Sequence, residues 1–344
     1  MHHLKVLFAL TAAGALVACG GGGGDSPPPP PPPPTPVQAP EVGTNGTLQA
    51  SVAAATYADA RRTSAFNQLN AVRLGAGAGL LAQSTALDTS ALDHANYLTA
   101  NGFNSADSAH DETSGLPGFT GTNPFVRMQS AGYQYSYATE VIGDIGSASA
   151  TSDCVGDLLD TVYHAVSMLS RVTDVGFGFG SGAAAGMCTI DMASPLNGGS
   201  ARQIPPSGAV VAYPYDGSTV AHGTFHVSNE SPRVSTSLLP DATAGTPVIV
   251  GFRNQDVVAG AKVTITQFSI ATSAGVAVPG VILADSGIVG TNVNADADLD
   301  ASDFAVLVPA SPLAAGTYTV TLHATIAGGR ALALTTWSFT VAAR

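Results

Sequence analysis

A run of eight prolines at residues 27–34, preceded by five glycines at 20–24, is the feature that most limits how this chain can fold. Neither stretch carries a side chain that could be buried in a core, so this part cannot fold by itself. The glycines predict a flexible root, and residues 27–36 predict a stiff polyproline spacer, roughly 30 Å long at about 3.1 Å per residue. We therefore expect a linker over residues 19–55 and folded domains after it.

Upstream of the spacer, residues 1–18 have the layout of an export signal. Lys5 precedes an apolar stretch at 6–17, which is too short to span a bilayer but suits the core of a signal peptide. The stretch ends in Leu16-Val17-Ala18-Cys19, which resembles the lipobox of bacterial lipoproteins, where the Cys thiol accepts lipid. We predict a signal peptide at 1–18, lipid on Cys19, and an exported lipoprotein of the cell envelope, at the outer membrane or the cell surface. An ordinary signal peptide with a chance cysteine is the alternative.

The chain has three cysteines, and lipid on Cys19 would leave Cys154 and Cys188 as an even pair in an oxidising compartment. We predict a disulfide between them, which would close a loop of about 35 residues. Two buried free thiols are the alternative.

Charge excludes one class of partner. The formal net charge is −12, and only 10% of the residues are charged. A protein that binds nucleic acid needs a basic surface to neutralise phosphates, and this chain has no basic cluster. We therefore expect no nucleic-acid partner, and expect the membrane to be reached through lipid on Cys19.

Residues 56–196 have the pattern of helices followed by short strands, which predicts an α/β or α+β domain. Phe66, Leu69 and Val72 form a helical stripe, and Asn123-Pro124 has the cap and first residue of a helix. A first helix is predicted to end at about 73, a second to run over 84–101, a third to run from 124 to before 132, and a fourth to cover about 152–169. The predicted strands lie at 176–180 and 187–193.

Beyond a boundary rich in Pro, Gly and Ser at 193–207, the apolar period changes to two. Tyr318, Val320 and Leu322 alternate with polar residues, and turn signals recur along the rest of the chain. Seven or so short strands in residues 208–344 predict an antiparallel β-sandwich of the immunoglobulin-like or fibronectin-type-III-like kind. Tyr318 would be its corner tyrosine, with the hydroxyl bonded to nearby backbone.

Common catalytic motifs are absent, but the 56–196 region holds His110, Glu112, Glu140 and His164. Two imidazoles and a carboxylate can ligate zinc or act as a base–acid pair, and a satisfied structural network is the alternative. His94 lies on an apolar helix face and is interpreted as a histidine at the core edge.

An acidic stretch at 294–303 has alternating carboxylates at Asp296, Asp298 and Asp300. It lacks the glycine and the final glutamate of an EF-hand loop. A solvated acidic turn is the favoured interpretation, and a calcium site is the alternative.

Residues from about 66 to 192 resemble the CAP superfamily of cysteine-rich secretory, antigen-five and pathogenesis-related proteins. The resemblance depends on the order and spacing of several landmarks rather than on any single motif. These landmarks are Asn70-Ala-Val-Arg73, Leu92 to Leu98, His110-Asp111-Glu112, Pro124-Phe125-Val126-Arg127, Ala131-Gly132-Tyr133, Glu140, Tyr163-His164 with Leu169, and Asp174 to Gly178.

The resemblance implies an αβα sandwich with a central cleft, and it carries the family's cavity residues over as His110, Glu140 and His164, with Glu112 a weaker candidate. Two departures concern the same site. The family's Gly-Glu-Asn is Thr139-Glu140-Val141 here, and its Gly-His-Arg is Tyr163-His164-Ala165. The resemblance therefore supports the fold more strongly than an activity.

Three functions follow, and the first is favoured because no nucleophile is evident. In the first, the cleft binds a small apolar ligand, a peptide or a cell-wall component, with zinc on His110 and His164 beside Glu140 as an added option. In the second, a hydrolase uses Glu140 with His110 or His164 as acid and base. In the third, the protein is a cell-surface adhesion or scaffolding protein whose β-sandwich makes the contacts.

Overall fold

The structure, a computed structural model, describes residues 47–102, 108–144, 153–180, 187–196, 202–206, 208–253, 263–326, 332 and 335–343. The predicted signal peptide, the lipid site at Cys19 and most of the linker lie outside the described residues. Within the described ranges, no helix combines the length and the apolar character needed to cross a membrane.

The first three helices form where the sequence places them, because their ends carry strong signals. The Ser84 and Asn123 side chains each accept a hydrogen bond from a first-turn amide, and Pro124 is the first helical residue of its helix. The first helix ends at Gly77, whose φ of 78° lies in the left-handed region that favours glycine. These helices are α1 (Ala60–Ala76), α2 (Thr85–Asn101) and α3 (Pro124–Ser130).

The fourth predicted helix, at about 152–169, is instead two short helices, α4 (Cys154–Leu159) and α5 (Tyr163–Met168). At the break, the Thr161 hydroxyl donates to a carbonyl of α4 at 2.8 Å. The amides at the start of α5 donate to the carboxylate of Glu230, a residue far along the chain. The apolar stripe continues across the break because both helices face one core, so the prediction of a single helix was wrong.

Four strands form the first sheet, in the order β1-β3-β4-β2. The β1–β3 pair is parallel and the other two pairs are antiparallel. The predicted strands at 176–180 and 187–193 are confirmed as β3 and β4, whereas the sequence did not predict β2, the edge strand that carries Glu140. The strands are β1 (Ala82–Gln83), β2 (Tyr135–Asp144), β3 (Asp174–Phe179) and β4 (Met187–Pro195).

Helices cover both faces of this sheet, which confirms the mixed α and β class. Buried residues of α2 and α3 cluster with one set of β4 side chains, and those of α1, α4 and α5 cluster with the alternate set. Gly176 and Gly178 of β3 allow α2 to pack directly on the strand, since a Cβ at either position would overlap the helix backbone. Both glycines lie inside the strand that the sequence predicts.

The second half of the chain, called here the C-terminal segment (residues 208–344), forms two sheets. One has the order β12-β10-β13-β7-β5 and the other β11-β8-β14-β15-β6, with β9 beside β8. Most pairs are antiparallel, as predicted, but β12–β10, β11–β8 and β15–β6 are parallel. The strands are β5 (Val211–Tyr213), β6 (Thr219–Val220), β7 (Val248–Gly251), β8 (Val263–Thr272), β9 (Ala277–Val278), β10 (Gly280–Ala284), β11 (Ile288–Gly290), β12 (Val293–Ala295), β13 (Phe304–Pro309), β14 (Gly316–Thr325) and β15 (Thr336–Val341).

Two further features of the C-terminal segment concern its core. The Tyr318 hydroxyl donates to the Ala314 carbonyl at 2.9 Å, which is the backbone bond expected of a corner tyrosine. A single hydrophobic cluster runs from α1 and α4 into both sheets, with Leu69, Phe225 and Phe339 among its members. The two halves of the chain therefore share a core.

The predicted disulfide between Cys154 and Cys188 is confirmed, with the two Cα atoms 6.3 Å apart. It joins the first residue of α4 to the second residue of β4. The helix on one face of the sheet is thereby tied covalently to a central strand.

Candidate functional site

A cavity of about 300 Å³ lies along the open edge of β2, between α5 and the C-terminal segment. This volume is at the lower end of the range for small-molecule sites. All three cleft residues transferred from the resemblance line it, and Glu112 does not. Its lining includes His110, Phe125, Tyr137, Glu140, Val141, His164, Val166 and Arg171 from the first half, and Pro232, Asp298, Leu299 and Ser302 from the C-terminal segment.

Glu140 is a buried, ionised carboxylate at the inner wall of the cavity. Nη2 of Arg127 lies 2.9 and 2.7 Å from its two oxygens. Burial alone would raise the pKa of Glu140, but the charges of Arg127 and His94 and the hydrogen bond from His110 hold it well below its usual range. Glu140 is therefore an anchor that stays negative at neutral pH rather than a group that readily takes up a proton.

His110 is oriented by Glu140. Its Nδ1 lies 2.8 Å from Oε1 of Glu140, and because an ionised carboxylate can only accept, Nδ1 carries the proton. In the neutral ring, Nε2 then has a free lone pair. The side chain is 26% exposed and lines the cavity. The backbone carbonyl of His110 also accepts a bond from Arg127 at 2.8 Å, so one guanidinium holds both partners.

His164 reaches the cavity from α5 and is held in the same way. Its Nδ1 lies 3.1 Å from the Thr161 hydroxyl oxygen. That hydroxyl donates to the Leu158 carbonyl, so its oxygen accepts from Nδ1–H and Nε2 keeps its lone pair. Burial, with a smaller contribution from His110, lowers the pKa of His164 to about 4, so the ring is neutral at pH 7.

Glu112 belongs to a second buried pair, away from the cavity. Nδ1 of His94 lies 2.9 Å from its Oε1, and the Thr120 amide donates to its other oxygen at 2.6 Å. The second ring nitrogen of His94 lies 2.9 Å from the Ala109 carbonyl. Both side chains are fully buried, so they brace the loop that carries His110, and the interpretation of His94 as a structural histidine agrees with this geometry.

Sequence reasoning missed two members of the site. Arg127 was quoted as part of a motif, but its position between Glu140 and His110 follows from folding and not from spacing. Asp191 lies directly opposite Glu140 in the β2–β4 register and is completely buried. Burial and the charge of Glu140 raise the pKa of Asp191 well above its usual range. A lone acid in an apolar strand was the signal that could have indicated it.

The acidic stretch at 294–303 is a solvated turn only in part, because Asp296, Asp298 and Asp300 are half-buried and Asp303 is buried. Asp296 accepts a bond from the Tyr163 hydroxyl at 2.8 Å, and the buried Asp303 pairs with Arg171. These carboxylates hold the C-terminal segment to α5 and to the chain that follows it. Across the described ranges, no three His, Cys, Asp or Glu side chains are grouped so that they could hold a metal ion.

The sequence left zinc on His110 and His164, beside Glu140, as an option. The Nε2 lone pairs of the two rings suit such a metal, but the oxygens of Glu140 are already bonded to Arg127 and His110, so Glu140 could only orient a ligand. Zinc sites in proteins use three or four protein ligands, and the described residues offer two at this cavity. A complete zinc site therefore does not fit these side chains, and zinc stays a prediction.

Comparison with known proteins found a match to one family model over part of the chain. The model of the cysteine-rich secretory protein family, CAP, matches residues 66–191, a span that contains His110, Arg127, Glu140 and His164. No curated protein matches the chain. The matched span also contains most of the four-stranded sheet and parts of both of its helical layers. The family match supports the placement of residues 66–191 in the CAP superfamily.

Proposed function

We propose that this chain is an exported, lipid-anchored CAP-domain protein whose cavity binds a small ligand: an apolar compound, a peptide or a component of the cell wall. The observation that carries the proposal is the cavity of about 300 Å³ that the imidazoles of His110 and His164 line. Phe125, Val166 and Leu299 offer apolar contact in the same space.

The two rings suit a ligand that donates hydrogen bonds. Both Nδ1 protons are engaged, by Glu140 for His110 and by Thr161 for His164. A free Nε2 lone pair accepts from a hydroxyl, an amide or an ammonium group. Ligand pockets commonly combine apolar walls with a few such oriented polar groups.

Native mass spectrometry tests the binding proposal directly. Full-length protein purified in mild detergent from its own cells should carry a bound molecule that organic extraction removes. His164→Phe, which fills the cavity with an apolar ring, should abolish the extra mass. His323→Phe, on an exposed part of β14, is the matched control and should retain it. Identical spectra for the wild type and both variants, before and after extraction, would contradict ligand binding.

The membrane anchor is part of the proposal and has its own test. Lipid on Cys19 should direct the protein into the detergent phase on Triton X-114 partition, whereas Cys19→Ser should remain in the aqueous phase. The residue after Cys19 is Gly20 rather than aspartate, which favours the outer membrane or cell surface over retention at an inner membrane.

We also propose that the C-terminal segment is an immunoglobulin-like module, supported by its two sheets and by the Tyr318 corner bond.

The hydrolase alternative remains a prediction, with a changed assignment of roles. Because Arg127 holds Glu140 ionised, acid–base chemistry near neutral pH would fall to His110 or His164, with Glu140 as the residue that orients His110. Binding remains favoured because the one hydroxyl bonded to either ring among the described residues, that of Thr161, is engaged by the Leu158 carbonyl. The adhesion alternative stays a prediction.

A further inference from the structure

The N-terminal end of α5 is bound by a side chain from the other half of the protein. The Val162 and Tyr163 amides donate to the two carboxylate oxygens of Glu230 at 3.2 and 2.6 Å. A carboxylate at this position satisfies amides that have no partner within the helix. Burial raises the pKa of Glu230 to about 8, and the bonds from these amides limit that rise.

Two more contacts from the C-terminal segment hold the same region. The Tyr163 hydroxyl donates to Asp296 at 2.8 Å, and Arg171, just after α5, pairs with Asp303. The break between α4 and α5 leaves α5 only six residues long, too short to be stable by itself. Its position is therefore fixed largely by what packs around it.

His164 is one of the α5 residues that line the cavity, and Oε1 of Glu230 lies 3.9 Å from its Nδ1. His110, across the cavity, also acts on the ring and lowers its pKa, by less than burial does. Pro232, two residues beyond Glu230, and Leu299 in turn line the cavity. Two stretches of the C-terminal segment, residues 230–232 and 296–303, thus both fix α5 and form part of the wall that a ligand would meet.

We infer that Glu230 is a positioning residue for His164, and that the C-terminal segment is a working half of the binding site rather than a separate module. The inference rests on the proposed function for what the cavity does, but the geometry of His164 can be measured without any ligand. In the adhesion alternative, by contrast, the C-terminal segment would make contacts of its own at a cell surface and would have no effect on His164.

The test uses the full chain and two substitutions, Glu230→Gln and Glu230→Ala. Glutamine keeps the shape but replaces one acceptor oxygen with a donor, and alanine removes both acceptors. Asp241→Asn, at an exposed position of the same segment, is the control. Histidine-selective NMR reports on each ring, and diethyl pyrocarbonate labelling followed by peptide mass spectrometry reports on how readily each Nε2 reacts.

In both Glu230 variants we expect the His164 ring signal to shift and its labelling rate to rise several-fold, while the fully buried His94 keeps its signal. The control should match the wild type at every histidine. If Glu230→Ala fails to fold, Glu230→Gln still decides the matter. A His164 signal and labelling rate unchanged in a folded Glu230 variant would overturn the inference.

The outcomes separate this inference from the proposed function. A shifted His164 in a protein that carries no ligand, even as wild type, supports the positioning role and counts against ligand binding. A ligand that binds the wild type and both Glu230 variants equally, with His164 unmoved, supports ligand binding and overturns the positioning role.

Discussion

Arg127 places a single guanidinium nitrogen within 2.9 Å of both carboxylate oxygens of Glu140, and both side chains are buried. Removing one partner of such a pair leaves an uncompensated buried charge, which costs about 3 to 5 kcal/mol. Arg127→Met should therefore lower the free energy of unfolding by about that amount. Urea denaturation at pH 7, followed by circular dichroism, measures it.

The double variant Arg127→Met with Glu140→Gln provides the control, because it removes the stranded charge along with the cation. It should recover part of the lost stability. An Arg127→Met protein that unfolds at the same urea concentration as the wild type would contradict a charge-paired Glu140.

His164 should make stability depend on acidity within a defined window. Its pKa is lowered to about 4 in the folded protein, below its ordinary value of 6.5, so the folded state resists the proton that the unfolded state takes up. The stability it contributes is complete above pH 6.5 and is lost as the pH falls towards 4, by up to about 3 kcal/mol. His164→Gln should show a correspondingly flatter change between pH 7 and pH 4.

Comparison of the two proteins at each pH removes the contributions of groups they share, Glu230 among them. The measurements are made with a chelator present, so that metal binding does not enter. Parallel stability curves for the wild type and His164→Gln between pH 7 and pH 4 would show that the ring titrates freely in the folded state.

The disulfide between Cys154 and Cys188 should stabilise the chain by restricting the unfolded state. Closing a loop of about 35 residues is worth about 3 to 4 kcal/mol on the chain-entropy estimate. The double variant Cys154→Ala and Cys188→Ala should lose about that much. Urea midpoints with and without reductant measure the loss. Reductant should shift the wild type and leave the variant unmoved, and a variant as stable as the oxidised wild type would refute the estimate.

Zinc should bind weakly if the two imidazoles are its protein ligands. His110→Gln and His164→Gln should each reduce the affinity by at least about tenfold, the scale at which even indirect ligand supports act. Competition with a coloured chelator measures this, and His323→Gln, at an exposed strand position, serves as the reference. Equal affinity in all four proteins would place any bound zinc elsewhere.

Local signals accounted for the parts of the fold that the sequence predicted. The Ser84 and Asn123 caps and the left-handed Gly77 set helix ends within a few residues, and cysteine parity indicated the disulfide. The strand β2 was missed because it mixes exposed and half-buried polar residues around Glu140, so its apolar period is weak.

The site could be predicted only in part for a related reason. His110, Glu140 and His164 were found by resemblance, but Arg127 reaches Glu140 through folding rather than spacing. Glu230 meets α5 from 67 residues away along the chain, and nothing near it in sequence indicates a helix cap. Interactions between segments far apart in the chain leave no repeating pattern of apolar residues in the sequence. Sequence patterns therefore could not show them.

The common core of the two halves has a consequence for how this architecture could be inherited or rebuilt. A β-rich segment joined to its neighbour by a linker alone can be exchanged between proteins like a cassette. Here a transplanted C-terminal segment would bring Glu230 without the amides of α5, and would be separated from the rest of the hydrophobic cluster that joins Leu69 of the first half to Phe225 and Phe339 of the second. The two halves must therefore be exchanged between proteins together, and substitutions in one half must remain compatible with the other.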